Sequence, residues 1–377
     1  KEKILQQYLN YVYLGSGAYG IADAAWVYFS KTPNLLSISE AALIAGLAPA
    51  PSLYSPLVNP KLAIKRREIV LIKMAEEKFI SMEELSTALK EPLSLMPAEP
   101  KYQTSIAPFF TNWVAQKLPE FVSDEDLEIG GITIRTSLKL DWQRKATSII
   151  QEYTRKEMEG AAVSIEPISG LVRVLVGGKN FQNNQFNRAT QATRSPGSTF
   201  KIFPYLAALK KGIKPSDIFI DKKKCWGTYC PRNFGNKYMG KVSLSEAFSN
   251  SLNTIAVEIL DKVGFKEVIS LANKLGVGEE KELGTYYPLA IGAYEETLIN
   301  MTSAYATIAN RGYYIRPSPI EEIVGPSNNI IWTHKLNDSK GEQAIEIKIA
   351  DTMNSMLQKV VSEGTGQAGK LNNRNVA

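Results

Sequence analysis
Arg194-Ser195-Pro196-Gly197-Ser198-Thr199-Phe200-Lys201 opens the most informative stretch of the chain, and Ile202-Phe203-Pro204-Tyr205-Leu206-Ala207-Ala208-Leu209 follows it. The second run is apolar enough to be a buried helix, which puts Ser198 and Lys201 in its first turn. Side chains three positions apart share a helix face, so the Lys201 amine is expected to reach the Ser198 hydroxyl. A serine hydroxyl is a poor nucleophile until a base takes its proton. Lysine serves as that base only where burial or nearby positive charge depresses its pKa. A helix N-terminus adds partial positive charge and free N–H groups that hold a developing oxyanion. These are the requirements of acyl transfer.

An isolated Ser-x-x-Lys also fits a serine N-cap beside an exposed lysine. A second element further along, Ser249-Asn250-Ser251-Leu252-Asn253-Thr254, contains Ser251-x-Asn253 between two helical patterns. Serine and asparagine also cap loops, a role compatible with catalysis. Paired with Ser198-x-x-Lys201, this element resembles the signature of penicillin-binding proteins and class A β-lactamases.

The first hundred residues narrow that resemblance. Lys1-x-x-Ile4-Leu5-x-x-Tyr8-Leu9-Asn10 with Gly15, and Arg66-Arg67-x-x-Val70-Leu71-x-x-Met74, resemble two motifs of the family 51 peptidoglycan glycosyltransferases. Gly17-Ala18-Tyr19-Gly20-Ile21, Glu40-Ala41-Ala42 and the proline-punctuated Pro49–Pro56 lie between them in the order of that family. Further matches are Thr136-Ser137-Leu138, Glu166–Gly170, Val176-Gly177-Gly178 and Gly364-Thr365-Gly366. The whole resembles a class A (bifunctional) penicillin-binding protein: a lysozyme-like, all-helical glycosyltransferase part followed by a β-lactamase/transpeptidase-like α/β domain.

The resemblance implies a peptidoglycan synthase that polymerises a lipid-linked disaccharide-peptide and cross-links stem peptides at D-alanyl-D-alanine. Ser198 would be the nucleophile and Lys201 its base. Ser251 and Asn253 would handle the leaving amine and orient substrate. The Ser198 backbone N–H would supply half of an oxyanion hole. Tyr8, Asn10, Arg66 and Arg67 are the glycosyltransferase candidates; the arginines suit pyrophosphate, since guanidinium pairs bidentately with phosphoryl oxygens, or they form a solvated basic face. Implied partners are the lipid-linked precursor, glycan strands and β-lactams, with the catalytic parts outside the cytoplasm on a membrane anchor upstream of this chain. Transpeptidation needs no metal or cofactor. A divalent cation often accompanies glycosyl transfer in such enzymes, and no residue here is assigned to it.

The acid/base glutamates of glycosyl transfer would lie before Lys1, and the Lys-Thr-Gly strand of the transpeptidase after Ala377; the 377 residues contain no Lys-Thr-Gly. The expectation is an internal stretch of a longer enzyme. On its own it should be acylated weakly or not at all, because one lost oxyanion donor costs about 3–4 kcal/mol of transition-state stabilisation. A β-lactamase would share Ser198 and Lys201 without a glycosyltransferase part, and a non-catalytic scaffold would keep the fold without the outlying motifs.

Composition agrees with a large folded exported protein. The chain is 44% hydrophobic and 22% charged, which suits two domains with cores. No apolar stretch is long enough to span a membrane. A net charge of +6 fits work beside anionic lipid and pyrophosphate, and no nucleic-acid-binding motif accompanies it. The single histidine, His334, leaves a serine–histidine–acid triad without support and reads as a surface residue. Cys225 and Cys230 are too few for a zinc site; a local disulfide and free or buried thiols both remain open.

Punctuation sets the expected organisation. Residues 1–95 read as the helical glycosyltransferase part, with one apolar stripe from Ile4, Leu5, Tyr8, Leu9 and Val12. Ser37-x-x-Glu40 and Ser81-x-x-Glu84 read as capping boxes, and Asn59-Pro60 as an N-cap with proline at the first helical position. Residues 96–130, with Pro97, Pro100 and Pro108 and with Pro92 just ahead, read as a linker and connecting module, and 131–377 as the transpeptidase domain. There a strand runs from Ile132 to Ser137, Asp141 caps a helix reaching about Glu157, and Ala162–Glu166 pairs with Leu171–Val176 as a hairpin. That hairpin is expected to be most of the sheet present, with Ile315–Val324 and Ile330–Trp332 as short strands. Further helices are expected around 243–250, 254–263, 296–310 and 346–362. Pro204 predicts a slight kink one turn after Lys201.

Overall fold
Reciprocal side-chain bonds start two of the helices in the N-terminal part, as the sequence predicts. Ser37 accepts the Glu40 amide while Glu40 accepts the Ser37 amide, and Ser81 and Glu84 repeat the exchange. The structure is a computed structural model describing residues 2–98, 105–123, 127, 131–155, 157–278, 282–326, 328–334 and 341–377. The chain forms two units, Lys1–Ile106 and Ala107–Ala377.

Among its described residues the first unit is helical, with principal helices Glu2–Tyr11, Gly20–Phe29, Ile38–Leu47, Pro60–Glu76 and Met82–Lys90. Its core gathers Tyr28, Phe29, Leu43, Ile44 and Leu47. Gly46 lets the helix Pro60–Glu76 come close, since a Cβ there would lie 3.3 Å from Arg66 Cβ. Pro60 does open that helix, but Asn59 turns its amide to the Leu53 carbonyl instead of capping. The expected stripe on the first helix is not buried, for Ile4, Leu5 and Tyr8 are all exposed.

Part of the span 96–130, read as linker and connecting module, is helical. The helix Pro108–Lys117 belongs to the second unit, where Phe109, Phe110, Trp113 and Val114 pack with Val172, Leu175, Ile320 and Ile323. Pro108 is the first residue of that helix, a position where proline is tolerated. Pro100 lies outside the described residues.

The second unit carries more sheet than the hairpin alone. Ala162–Ile165 and Val172–Val176 pair antiparallel as expected. Thr133–Thr136, Ile320–Val324 and Ile330–Thr333 form a three-stranded antiparallel sheet in the order first, second, third. A bridge from Leu171 to Ser318, with Val172 N donating to Ser318 O at 2.9 Å, ties the hairpin to that sheet's lead-in. Arg173, buried in the hairpin, pairs with Glu166 at 2.8 Å and with Glu321 of the adjoining strand. Glu321 is far from Arg173 in sequence, so local pattern does not reveal that pair. His334 is half-buried rather than superficial: its Nε2 lies 2.7 Å from Ser169 O and its ring 6.0 Å from that of Trp332.

A larger helical core supports the Ser198 segment. The helices Ile202–Lys210, Leu244–Ser249, Asn253–Val263, Phe265–Lys274, Leu298–Ala309 and Ile347–Ser362 enclose Phe203, Leu206, Ile255, Ile259, Leu271, Ala304 and Met353. The sequence reading lacks Phe265–Lys274, which restarts after Gly264 at φ +87° and buries Val268, Leu271 and Ala272. Asp141 sits in the first turn of Leu140–Tyr153 rather than capping it; Lys139 holds the cap position.

Candidate active site
Gly197–Lys201 forms a 3-10 turn that passes into the α-helix Ile202–Lys210. This corrects the expected α-helical first turn. Side chains three apart eclipse in a 3-10 helix, so Ser198 and Lys201 still align along one side. The predicted kink at Pro204 gives way to this change of helix type. Pro204 is the third residue of the α-helix, where a backbone N–H would have no intrahelical partner to lose.

The turn is pinned from two directions. Ser195 Oγ donates to Gly292 O at 2.6 Å, and Arg194 and Glu296 exchange backbone bonds of 2.9 and 3.0 Å. Tyr305 Oη donates to Thr199 O at 2.9 Å. Phe200 is fully buried against Phe203 and Tyr294, with ring centroids 4.6 and 4.8 Å away. Gly292 sits at φ +72°, and a Cβ there would fall 2.2 Å from Gly197 O. Gly292→Ala is therefore expected to push the turn outward. The left-handed backbone alone costs about 1–2 kcal/mol, and penicillin acylation should fall at least tenfold with a lowered melting temperature. Stopped-time labelling with fluorescent penicillin and a thermal melt on the full-length encoded protein check both effects.

Ser198 is exposed. Among the described residues neither its hydroxyl nor its amide N–H has a hydrogen-bond partner. An open hydroxyl and a free N–H at the head of a helical segment are what an incoming carbonyl needs.

Lys201 is only 2% exposed. Its Nζ donates to Ser251 O at 2.6 Å, Ser251 Oγ at 3.0 Å and Asn253 Oδ1 at 2.6 Å. The expected direct bond to Ser198 is not among these, because the three fixed acceptors draw the amine inward. The sequence pairing of Lys201 with Ser251 and Asn253 thus becomes direct contact. Burial pushes the Lys201 pKa down to about 7, since desolvation disfavours the ammonium.

The Ser251–Asn253 element is held by backbone geometry. Ser251 adopts φ +53°, a left-handed conformation uncommon for serine. This lets its carbonyl and hydroxyl both face Lys201, while Leu252 buries and Asn253 begins the next helix. Gly364-Thr365-Gly366 closes on the preceding residues: Thr365 N donates to Ser249 O at 3.1 Å, and a Cβ on Gly364 would lie 2.2 Å from that oxygen. Asn253 Nδ2 donates to Arg232 O at 2.7 Å, which fixes its Oδ1 toward the lysine. Arg232 lies just beyond the cysteine pair, which the structure resolves as a disulfide, Cys225–Cys230.

Sequence reasoning missed the residues beneath this element. Asp221 and Asn233 are buried and bond to Thr254 and to the Asn253 backbone. No periodic or spacing signal joins positions on separate segments.

The four glycosyltransferase candidates behave differently. Tyr8 and Asn10 are exposed on the helix Glu2–Tyr11. Arg66 lies over the Tyr54 ring, 5.1 Å from its centroid, and its Nε donates to Gly46 O at 3.4 Å. Arg67 contradicts its expected role. It is buried, and one guanidinium nitrogen donates to Ser39 Oγ and Glu91 O, each at 3.0 Å. It braces the helices, because a helix turns about 100° per residue and carries neighbours to different faces. Among the described residues no hydrogen bond or ion pair joins the four.

The family description "Penicillin binding protein transpeptidase domain" matches residues 160–377, and "Transglycosylase" matches residues 1–75. Penicillin-binding protein 1A of Aquifex aeolicus is 30% identical over all of this chain and 63% of its own length. Penicillin-binding protein 1F of Bacillus subtilis is 33% identical over 98% of this chain and 52% of its own. The chain thus spans about half to two thirds of the length of these relatives. The crystal structure of penicillin-binding protein 1A from Haemophilus influenzae superposes with a TM-score of 0.75 at 23% identity, covering 98% of this chain and 75% of that one. PonA1 of Mycobacterium tuberculosis, also solved with penicillin V, gives 0.61 at 25% identity over 68% of this chain and about 70% of its own. With an open serine above a buried lysine and a transglycosylase segment ahead of them, the chain belongs to the penicillin-binding transpeptidases, in their class A.

Proposed function
We propose that the protein is a peptidoglycan synthase that joins lipid-linked disaccharide-peptides into glycan strands and cross-links their stem peptides through an ester on Ser198. The observation that carries this reading is the Lys201 amine, buried and held by Ser251 and Asn253, one 3-10 turn from an exposed serine. With its pKa pushed down to about 7 by burial, the lysine is able to release its proton near neutral pH.

In the proposed reaction Ser198 Oγ attacks the carbonyl of the penultimate D-alanine, and its proton passes to the Lys201 amine. The Ser198 N–H holds the oxyanion. Collapse breaks the peptide bond, and the terminal D-alanine leaves with the proton returned from Lys201 by way of Ser251, whose hydroxyl contacts Nζ. The acyl group, now an ester on Ser198, is taken by an amine of a neighbouring strand, which regenerates the hydroxyl. A β-lactam opens on the same oxygen and leaves a slowly hydrolysed ester.

Polymerisation belongs to the first unit, where Tyr8, Asn10 and Arg66 are proposed to meet the lipid-linked substrate and Arg67 to brace the helix bearing Arg66. Among the described residues no three His, Cys, Asp or Glu side chains gather as a metal site, so none is assigned to a divalent ion. The Cys225–Cys230 disulfide supports work in an oxidising compartment outside the cytoplasm. Among the described residues no helix is long and apolar enough to cross a membrane.

The test supplies lipid-linked precursor to the full-length encoded protein. Glycan polymer, cross-linked dimeric peptide and released D-alanine are expected, with benzylpenicillin suppressing the last two but not the polymer. Polymer formation without penicillin-sensitive cross-linking would count against the second activity, and rapid steady hydrolysis of a chromogenic cephalosporin would favour a β-lactamase.

A further inference from the structure
The helix Asn253–Val263 begins without a cap of its own: Leu252 occupies the N-cap position and offers no side-chain acceptor. The acceptor comes from a different segment. Asn233 Oδ1 receives the Asn253 N–H at 2.8 Å and the Thr254 N–H at 3.3 Å, as an N-cap side chain would. An asparagine amide can turn over and present donors instead. Asp221 prevents this here. Asn233 Nδ2 donates to both Asp221 oxygens, at 2.9 and 3.0 Å, and to Lys237 O at 3.2 Å.

Among the described residues, the other polar groups bonded to the Asp221 carboxylate are also donors: Met239 N at 2.7 Å and the Thr254 hydroxyl. That set suits a side chain acting only as an acceptor. Asp221 is 1% exposed and Asn233 5%, so neither trades these partners for water without cost. Burial first, and the Asp221 charge second, hold the Tyr205 phenol protonated far above its ordinary range.

We propose that Asp221 and Asn233 are positioning residues for acyl transfer, orienting the start of the Asn253 helix so that Asn253 presents its carbonyl oxygen to Lys201. The order is Asp221 to Asn233 Nδ2, Asn233 Oδ1 to Asn253 N–H, and Asn253 Oδ1 to Lys201 Nζ. A second lock, Asn253 Nδ2 on Arg232 O, lies in the loop just before Asn233. The arrangement converts one buried carboxylate into a fixed acceptor on the catalytic amine. It rests on the acyl-transfer reading above.

The test uses Asp221→Asn and Asn233→Ala in the full-length encoded protein, with Val257→Ala as a destabilised control. Val257 is buried on the same helix and bonds to none of these groups through its side chain. Acylation by fluorescent penicillin is measured per folded molecule from pH 5.5 to 9. Misplacement of a reacting group can cost about a hundredfold, and a fall of about 10- to 100-fold is expected in both network variants. The midpoint of the rising pH limb should also move below that of the wild type, because the ammonium loses an acceptor. Val257→Ala should lower the melting temperature and leave the midpoint in place. Network variants that lose activity only in proportion to folded protein, with an unmoved midpoint, would overturn the proposal alone. A wild type that penicillin never labels would overturn the acyl-transfer reading and this proposal together.

Discussion

Lys201→Met in the full-length encoded protein is expected to lower penicillin acylation by about 10²–10⁴-fold, the usual contribution of a positioned general base. Methionine matches the stem that the core already accommodates and removes only the amine. The wild-type rate should rise as pH climbs through about 7, where burial places the lysine, and level off above it. Lys201→Arg should not rescue, since guanidinium stays protonated at all working pH. Stopped-flow acylation across pH 5.5–9 gives both results. A wild-type midpoint near the ordinary lysine value would mean that the amine is not desolvated in the working site.

The same burial sets a sign for stability. The unfolded chain holds the lysine proton up to about pH 10.5, while the folded chain releases it at about 7. Between those values the unfolded state binds more protons, so stability rises with pH. This contribution is full above the unfolded value, declines as pH falls through the window, and changes no further below about 7. Comparing denaturant midpoints of wild type and Lys201→Met at pH 7 and 10 isolates it from other groups.

Ser198→Ala is the second large effect. It should abolish the penicillin adduct and cross-linking completely and leave glycan polymerisation intact, because Ser198 is exposed and bonded to nothing among the described residues. Its melting temperature should stay within a degree or two of wild type, as expected for an exposed side chain without partners. The separation matters: lost labelling with an unchanged melt identifies the nucleophile, whereas a collapsed melt would identify a structural residue. Residual labelling at wild-type rate would place the nucleophile elsewhere.

The legible parts of the site were those governed by short-range rules. Ser198-x-x-Lys201 and Ser251-x-Asn253 each lie within one turn, and their residue types carry their chemistry. The capping boxes at Ser37 and Ser81 were readable for the same reason, as both partners sit in one tetrapeptide. The hairpin and four of the later helices followed from alternation and period. Helix type at Gly197–Lys201 was not legible, because it depends on Gly292 and Tyr305 gripping the turn from other segments. Nor was the inward turn of Arg67, for Arg66 beside it has the same chemistry and a different neighbourhood. The three-stranded sheet pairs Thr133–Thr136 with Ile320–Val324 across most of the second unit, and the Asp221–Asn233 support joins the end of the strand Ile218–Asp221 and a loop to a helix start.

The account depends most directly on where an acyl group becomes attached. Full-length encoded protein is treated with benzylpenicillin, digested, and the modified peptide sequenced by tandem mass spectrometry. One equivalent of penicilloyl ester on Ser198 is the expected result, with the same residue labelled by a D-alanyl-D-alanine thioester analogue. An adduct on another serine, or none while the protein still cross-links stem peptides, would contradict it.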